Sequence, residues 1–160
     1  MRRVLLLVPV LIVLGCTDKE RLPVMGQWTG GFYTDEAEVL RGYLQLYRGK
    51  DQFKMRLGSK HQEIDFTGTW TVANNRIELR ASDIKFTNPS EEKIRTLGLE
   101  ILKADTVRDN YRKPIVLTIG EGNKSLTGLT MTVGKFQGRH KFNKGQASGN
   151  AQRVLDDLAK

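Results

Sequence analysis

Few side chains in this sequence could take part in chemistry. Its 160 residues contain one cysteine, Cys16, and two histidines, His61 and His140. A thiol can be a nucleophile, a metal ligand or a site of modification. A histidine can bind a metal ion or titrate near neutral pH. The residues around each side chain decide among these roles.

His61, Glu63 and Asp65 occur at alternate positions and together could offer nitrogen and oxygen ligands to a metal ion. On a β-strand, however, alternate side chains project from one face in a row and diverge. We therefore expect no metal site, and nothing else in the sequence indicates a cofactor.

Motifs of common enzyme classes do not occur in the sequence. Neither Gly-x-Ser-x-Gly nor His-Glu-x-x-His is found. The segment Gly120–Ser125 has the composition of a phosphate-binding loop, but its spacing differs and a turn between two strands is expected there. We predict a protein that is not an enzyme and has no catalytic residues.

The first fifteen residues have the pattern of an export signal. Arg2 and Arg3 precede an uncharged segment, Val4–Gly15, of 12 residues. A helix of that length spans about 18 Å, against about 30 Å for the hydrocarbon core of a bilayer. Residues 1–15 are therefore predicted to be a cleaved signal peptide rather than a membrane span.

The four residues Val13-Leu14-Gly15-Cys16 resemble the lipobox of bacterial lipoproteins. The resemblance implies that Cys16 becomes the first mature residue and is lipidated with diacylglycerol, often with a further acyl chain such as palmitate. Thr17 follows Cys16 where an aspartate would favour the inner membrane. In a Gram-negative host we therefore expect an outer-membrane lipoprotein facing the periplasm, with residues 16–23 as a lipidated linker.

The formal net charge of +8 becomes +6 once Arg2 and Arg3 are removed with the signal. In an exported protein this charge favours anionic head groups or envelope polymers, or it serves solubility alone. Partners are therefore expected to be the membrane, through Cys16, and envelope components rather than nucleic acid.

From Gly26 onward, apolar residues recur at every second position, which indicates strands with one dry face. Turn residues such as Asn74-Asn75 separate these segments. Because open strand edges invite aggregation, we expect an all-β, eight-stranded antiparallel up-and-down barrel over residues 24–142. The predicted strands are 25–33, 40–47, 52–57, 63–72, 76–80, 115–119, 126–133 and 136–142.

Two regions depart from this alternation. Between strands five and six, Asn88 as N-cap, Pro89 and Gly98 favour a short helix, and a second helix is expected from Asp105. Residues 99–101 also fit a short strand. We expect this helical insert to close one end of the barrel. Residues 143–160 are predicted to be a linker and a C-terminal helix.

The opening Gly26-Gln27-Trp28, eight strands and a C-terminal helix resemble the lipocalin and calycin group. The resemblance implies that Trp28 lies near the closed end of the barrel. It also implies that an arginine from the last strand covers this tryptophan, for which Arg139 is the candidate. Members of the group bind small apolar molecules inside the barrel.

Two functions follow from this pattern. The first is binding of a small apolar or amphipathic ligand within the barrel. The second is a rigid scaffold or interaction protein with a filled barrel, which contacts an envelope protein through Arg41, Tyr43 and Tyr47. The residues expected to line a ligand cavity are Trp28, Phe66, Trp70, Met131, Phe136 and His140.

Overall fold

The computed structural model describes residues 21–47 and 51–145. Over these residues the chain forms nine strands and two short helices, α1 (Glu91–Leu97) and α2 (Ala104–Asn110). A single turn of 3-10 helix, Glu121–Asn123, joins β6 to β7. The strands are β1 (Gly26–Tyr33), β2 (Glu38–Leu46), β3 (Gln52–Gly58), β4 (Glu63–Ala73), β5 (Arg76–Thr87), β6 (Ile115–Ile119), β7 (Ser125–Gly128), β8 (Met131–Val133) and β9 (Phe136–Asn143).

The strands close into an eight-stranded antiparallel barrel, as the sequence predicts. Each strand from β1 to β6 pairs with the next, and β9 pairs with β1 to close the ring. Both β7 and β8 pair with β9, so they share one position in the barrel wall. The pairing of Gly30 with Phe142 and of Phe32 with His140 closes the sheet.

The seventh strand of the barrel is interrupted, whereas the sequence pattern predicted one strand over residues 126–133. Leu129 and Thr130 leave the ladder between β7 and β8. The Leu129 amide donates instead to the carbonyl oxygen of Val116 at 3.2 Å, and its side chain is 59% exposed. The two halves on either side of the break keep their pairing with β9.

The alternation of apolar residues has the predicted outcome, because the apolar positions form the interior. In β4, Ile64, Phe66, Gly68, Trp70 and Val72 are buried, while the alternate residues are half-buried or exposed. The other strands contribute their own alternate positions to one continuous core. The tight turn at Asn74-Asn75 holds both residues at positive φ, 52° and 61°, as a two-residue hairpin requires.

The insert contains the two expected helices, but its first helix starts two residues later than the sequence indicates. Ser90 is the N-cap, and its hydroxyl accepts a hydrogen bond from the amide of Lys93. The side-chain oxygen of Asn88 accepts a hydrogen bond from Gln62 at 2.9 Å instead. Gly98, at φ 56°, ends the helix as predicted. Residues 99–103 form no strand.

Helix α2 completes the barrel wall where β6 is too short. β6 pairs with β5 only over residues 76–79, and the remainder of β5 extends beyond it. In α2, Val107 is fully buried, and Arg108 lies over the Phe86 ring of β5 at 5.2 Å. On the opposite side, Asn110 accepts a hydrogen bond from the amide of Gly134. The insert therefore fills the gap between β5 and the β8–β9 hairpin.

The predicted signal peptide, Cys16 and the predicted C-terminal helix lie outside the described residues. Within residues 21–47 and 51–145, no helix is long and apolar enough to cross a membrane.

Candidate functional site

The two ends of the barrel differ, and we name each by its residues. Residues 21–25, Asn74–Asn75 and Glu121–Asn123 lie at the tryptophan end. The β3–β4 turn (residues 59–62), the insert (residues 88–113) and the Gly134–Lys135 turn lie at the insert end. Because each antiparallel strand runs from one end to the other, loops alternate between them.

The tryptophan end is sealed by two large side chains. Trp28 and Trp70 are buried, and the Trp28 indole N–H donates to the carbonyl oxygen of Val24 at 2.9 Å. Cations cover both rings. The Lys144 ammonium lies 5.5 Å from the Trp28 ring centroid, and the Arg21 guanidinium lies 5.7 Å from that of Trp70. The two buried rings and the cations over them close the barrel interior at this end.

The cation over Trp28 is not the one that the lipocalin resemblance implies. Arg139 pairs in register with Tyr33, at the opposite end of β1 from Trp28. The expectation for Arg139 is therefore wrong. Lys144, which follows the end of β9, reaches the Trp28 ring instead and also donates a hydrogen bond to the carbonyl oxygen of Pro23.

A ring cluster fills the middle of the barrel on the side of the insert. The Tyr111 hydroxyl and His140 Nε2 are hydrogen-bonded at 3.0 Å. The Tyr111 ring also contacts Phe66, with 4.6 Å between ring centroids. His140 stacks against Phe142 and meets the edge of Phe32. Tyr111, which follows α2, was missed at the sequence level because no pattern in the insert indicates that its ring enters the barrel.

Burial controls the ionisation of this cluster. It lowers the pKa of His140 from 6.5 to about 4, against a smaller opposing effect of the Gly31 backbone. Burial also raises the pKa of Tyr111. At neutral pH the pair is therefore uncharged, and its hydrogen bond fixes the insert to the barrel rather than presenting a charge to a ligand.

Most residues predicted to line a ligand cavity belong to the packed core. Trp28, Phe66, Trp70 and His140 are at most 1% exposed. Met131 is half-buried and packs against the same core. A ligand among these side chains would have to displace close-packed neighbours. Phe136 differs, because it is half-buried and lines a cleft at the insert end.

This cleft, which we call the rim cleft, has a volume of about 340 Å³. It lies between the start of β2, the loop after α1 and the start of β9. Ser59, Thr106, Gly134 and three charged residues complete its border. Its apolar wall consists of Val39, Leu40, Ile101, Leu102 and Phe136.

Gln62 holds one side of the rim cleft in place. Its side-chain amide donates to the Leu102 carbonyl at 2.8 Å and to Asn88 at 2.9 Å. Its side-chain oxygen accepts from the Leu102 amide at 2.9 Å. Gln62 is 3% exposed, so these bonds satisfy a buried polar group while fixing the loop that forms the wall.

The Gly134–Lys135 turn holds the other side. The backbone at Gly134 has φ 62°, which favours glycine, and a Cβ there would lie 2.5 Å from Leu102 Cδ2. Lys135 also forms a salt bridge with Glu100 across the mouth of the cleft. The loop of residues 99–103 is thus attached at both sides.

Two of the three residues considered as metal ligands, Glu63 and Asp65, form salt bridges with Arg56. The Arg56 guanidinium lies 2.6 Å from Asp65 and 3.5 Å from Glu63. The hydrogen bond with Asp65 raises the pKa of Arg56. His61 lies in the preceding turn. Across residues 21–47 and 51–145, no three His, Cys, Asp or Glu side chains are grouped as a metal ion would require.

The outer face of β2 carries the residues of the predicted interaction surface. Arg41 is exposed and forms two hydrogen bonds with Glu38, at 3.0 and 2.7 Å. Glu38 also accepts a hydrogen bond from the Tyr33 hydroxyl. Tyr43 and Tyr47 are half-buried on the same strand face. The contacts with Glu38 orient the Arg41 guanidinium on this exposed part of the strand.

Fold and site together define a closed antiparallel barrel with a filled interior and an apolar cleft at one mouth. No protein-family model matches the chain, and no curated protein is significantly similar to it in sequence. The geometry of the rim cleft and the pattern of the first sixteen residues therefore carry the functional inference.

Proposed function

We propose that this chain is a lipid-anchored protein of the bacterial cell envelope that binds a small apolar or amphipathic molecule at the rim cleft. The supporting observation is that the rim cleft is concave and largely apolar and has a volume of about 340 Å³. This volume is within the usual range for small-molecule sites. Phe136 belongs to this cleft, whereas Trp28, Phe66, Trp70 and His140 of the predicted lining are enclosed in the core. The barrel would act as the rigid support of the site.

The anchor and the cleft would lie at opposite ends of the barrel. Arg21, at the tryptophan end, is five residues from Cys16, a distance of at most about 17 Å. The eight residues of β1 extend about 27 Å from that end to the other. A lipid on Cys16 would thus hold the tryptophan end near the bilayer and direct the rim cleft into the aqueous space.

Native mass spectrometry of the lipoprotein extracted from its own host tests the binding function. The wild type should release a co-purified small molecule when its ions are activated by collision in the mass spectrometer. Ile101→Asp places a charge on the apolar wall and should lose that molecule. Leu97→Asp is the matched control in the same insert, because Leu97 is 59% exposed and does not line the cleft. Equal ligand in both variants would refute the assignment of the rim cleft.

Metabolic labelling tests the anchor separately. A Cys16→Ser variant should incorporate no labelled palmitate and should leave the membrane fraction, since Cys16 is the only cysteine. A variant that stays labelled and membrane-bound would show that the lipid is attached elsewhere.

A second candidate function is a rigid envelope scaffold with no ligand, which the filled interior favours. Its contact surface would be the outer face of β2, where Glu38 orients the exposed Arg41 beside Tyr43. Cross-linking in cells separates the two functions. A double variant, Arg41→Glu with Tyr43→Ala, should lose the cross-links of a scaffold, and a variant that retains every cross-link would exclude this surface.

A further inference from the structure

We infer that the ligand of the rim cleft is a single-chain amphiphile with an anionic head group, such as a carboxylate or a phosphate. This inference rests on the proposed function and specifies its ligand class. The decisive feature is a second cleft, of about 380 Å³, that adjoins the first. We call it the polar cleft, and its border consists of Glu38, Val39, Arg41, Gly58, Ser59 and Lys60.

The two clefts share Val39 and Ser59 in their walls. A ligand in the rim cleft can therefore extend past these residues into the polar cleft without crossing the barrel wall. On one side of Val39 it would meet apolar side chains such as Leu102 and Phe136. On the other side it would meet charged groups and the Ser59 hydroxyl. A ligand with an apolar chain and a compact polar head group would match an apolar surface that is followed by a polar one.

The charges select the sign of the head group. Among the cations that border the two clefts, Arg41 is paired with Glu38, and Lys135 is paired with Glu100. Lys60 and Lys103 form no salt bridge with any residue in the described part of the chain. Once the pairs are accounted for, the combined groove carries two positive charges. An anionic head is therefore attracted, and a cationic one is repelled.

Lys60 and Lys103 also lie on different sides of the wall that the two clefts share. Lys60 borders the polar cleft, next to Ser59 in sequence, and Lys103 borders the rim cleft. Long lysine side chains can bring their ammonium groups towards one anion while their methylene groups contact the chain. The head group would thus be held near Ser59, with the chain along Val39 and Leu102.

Photo-crosslinking of the intact lipoprotein in nanodiscs of neutral phosphatidylcholine tests this inference. Three probes share one diazirine-bearing sixteen-carbon chain and end in a carboxylate, a phosphate monoester or an alcohol. Peptide mass spectrometry then locates the label. In the wild type, an anionic probe should label residues of the rim cleft about fivefold more than the alcohol does. The ratio of carboxylate to phosphate labelling distinguishes the two head groups.

A charge-reversed variant isolates the contribution of the head group. Lys60→Glu with Lys103→Glu should reduce labelling by the anionic probes about tenfold and leave labelling by the alcohol unchanged. The control Lys113→Glu with Lys124→Glu changes two exposed lysines outside both clefts and should behave as the wild type. All four side chains are surface groups, so folding is not at risk.

Each alternative result has a distinct meaning. If the alcohol labels the rim cleft as strongly as the anionic probes, the anionic head is refuted and the proposed function stands. If the label lies outside the rim cleft with all three probes, both the anionic head group and ligand binding at the rim cleft are refuted. If the control variant loses anionic labelling as well, net charge rather than Lys60 and Lys103 attracts the probe, and the inference fails.

Discussion

The two ends of this barrel are closed by different physical means. At the tryptophan end, Trp28 and Trp70 fill the space, and Lys144 and Arg21 cover their rings. At the insert end, a loop lies across the mouth and is held by hydrogen bonds, chiefly those of Gln62. Close-packed rings fill the barrel interior, whereas a loop attached at a few points can leave a recess beneath it. The rim cleft is found at the second kind of end.

The largest expected effect tests the difference in packing. Trp28→Ala should lower the free energy of unfolding by about 3–5 kcal/mol, because a buried indole leaves a cavity that its neighbours cannot fill. Phe136→Ala removes a half-buried ring at the rim cleft and should cost about 1–2 kcal/mol. Chemical denaturation measures both values. Equal losses would show that the two ends are packed alike.

The second largest effect on the free energy of unfolding is expected from the hydrogen bonds at the insert end. Gln62→Leu leaves the half-buried Leu102 amide and carbonyl without their partner and should cost about 2–3 kcal/mol. Hydrogen exchange should also accelerate at residues 99–103 more than in the strands. Gln137→Leu, at an exposed position of β9, is the control and should change neither quantity. Unchanged exchange at residues 99–103 in Gln62→Leu would contradict this account of the loop.

The stability of the fold should depend on pH because of a histidine, His140, that packs against the insert. The pKa of His140 is about 4 in the folded protein against 6.5 ordinarily. As the pH falls, the unfolded chain takes up this proton first, so stability is highest above pH 6.5 and is lost towards pH 4. Between pH 7 and pH 5 the loss should be about 2 kcal/mol.

Denaturation of the wild type and of His140→Gln at both pH values measures this loss. The loss of stability that is caused by protonation of His140 should be absent from His140→Gln. His61→Gln should keep the wild-type pH dependence. The interpretation fails if His140→Gln loses as much stability at pH 5 as the wild type does.

The smallest effect concerns the cations of the tryptophan end. Lys144→Met keeps the apolar stem but removes the ammonium group over Trp28 and its bond to Pro23, at a cost of about 0.5–1 kcal/mol. Lys113→Met, at an exposed lysine of the insert, is the control. A shift in the intrinsic fluorescence of Trp28 should accompany the loss. No difference between the two variants would show that ring packing alone seals this end.

Much of the fold could be predicted from the sequence, because a strand in a closed sheet has only two faces. The alternation through Ile64, Phe66, Trp70 and Val72 determines which face is dry, and the turn at Asn74-Asn75 determines where the chain reverses. The predicted strand 115–119 has the observed bounds. The interruption at Leu129 was not predicted, because it depends on the register of this segment against β9, where Thr127 pairs with Lys141 and Met131 with Gly138.

The candidate site was predicted less well. Of its apolar wall, only Phe136 belonged to the predicted ligand-binding set, and Arg139 proved to be far from Trp28. Gln62 and Tyr111 carry no local signal, since a buried glutamine and a tyrosine after a short helix resemble surface residues in sequence. Their partners lie 40 and 29 residues away along the chain.

The sequence by itself determined the strand order, the dry face of each strand and a place for an insert, because hairpins and alternation depend on neighbouring residues. Only the tertiary structure decided that rings would fill the barrel and that α2 would complete its wall. It alone placed the cleft beneath a loop at the mouth. These outcomes depend on volumes and hydrogen bonds between distant segments, and a periodic pattern contains neither.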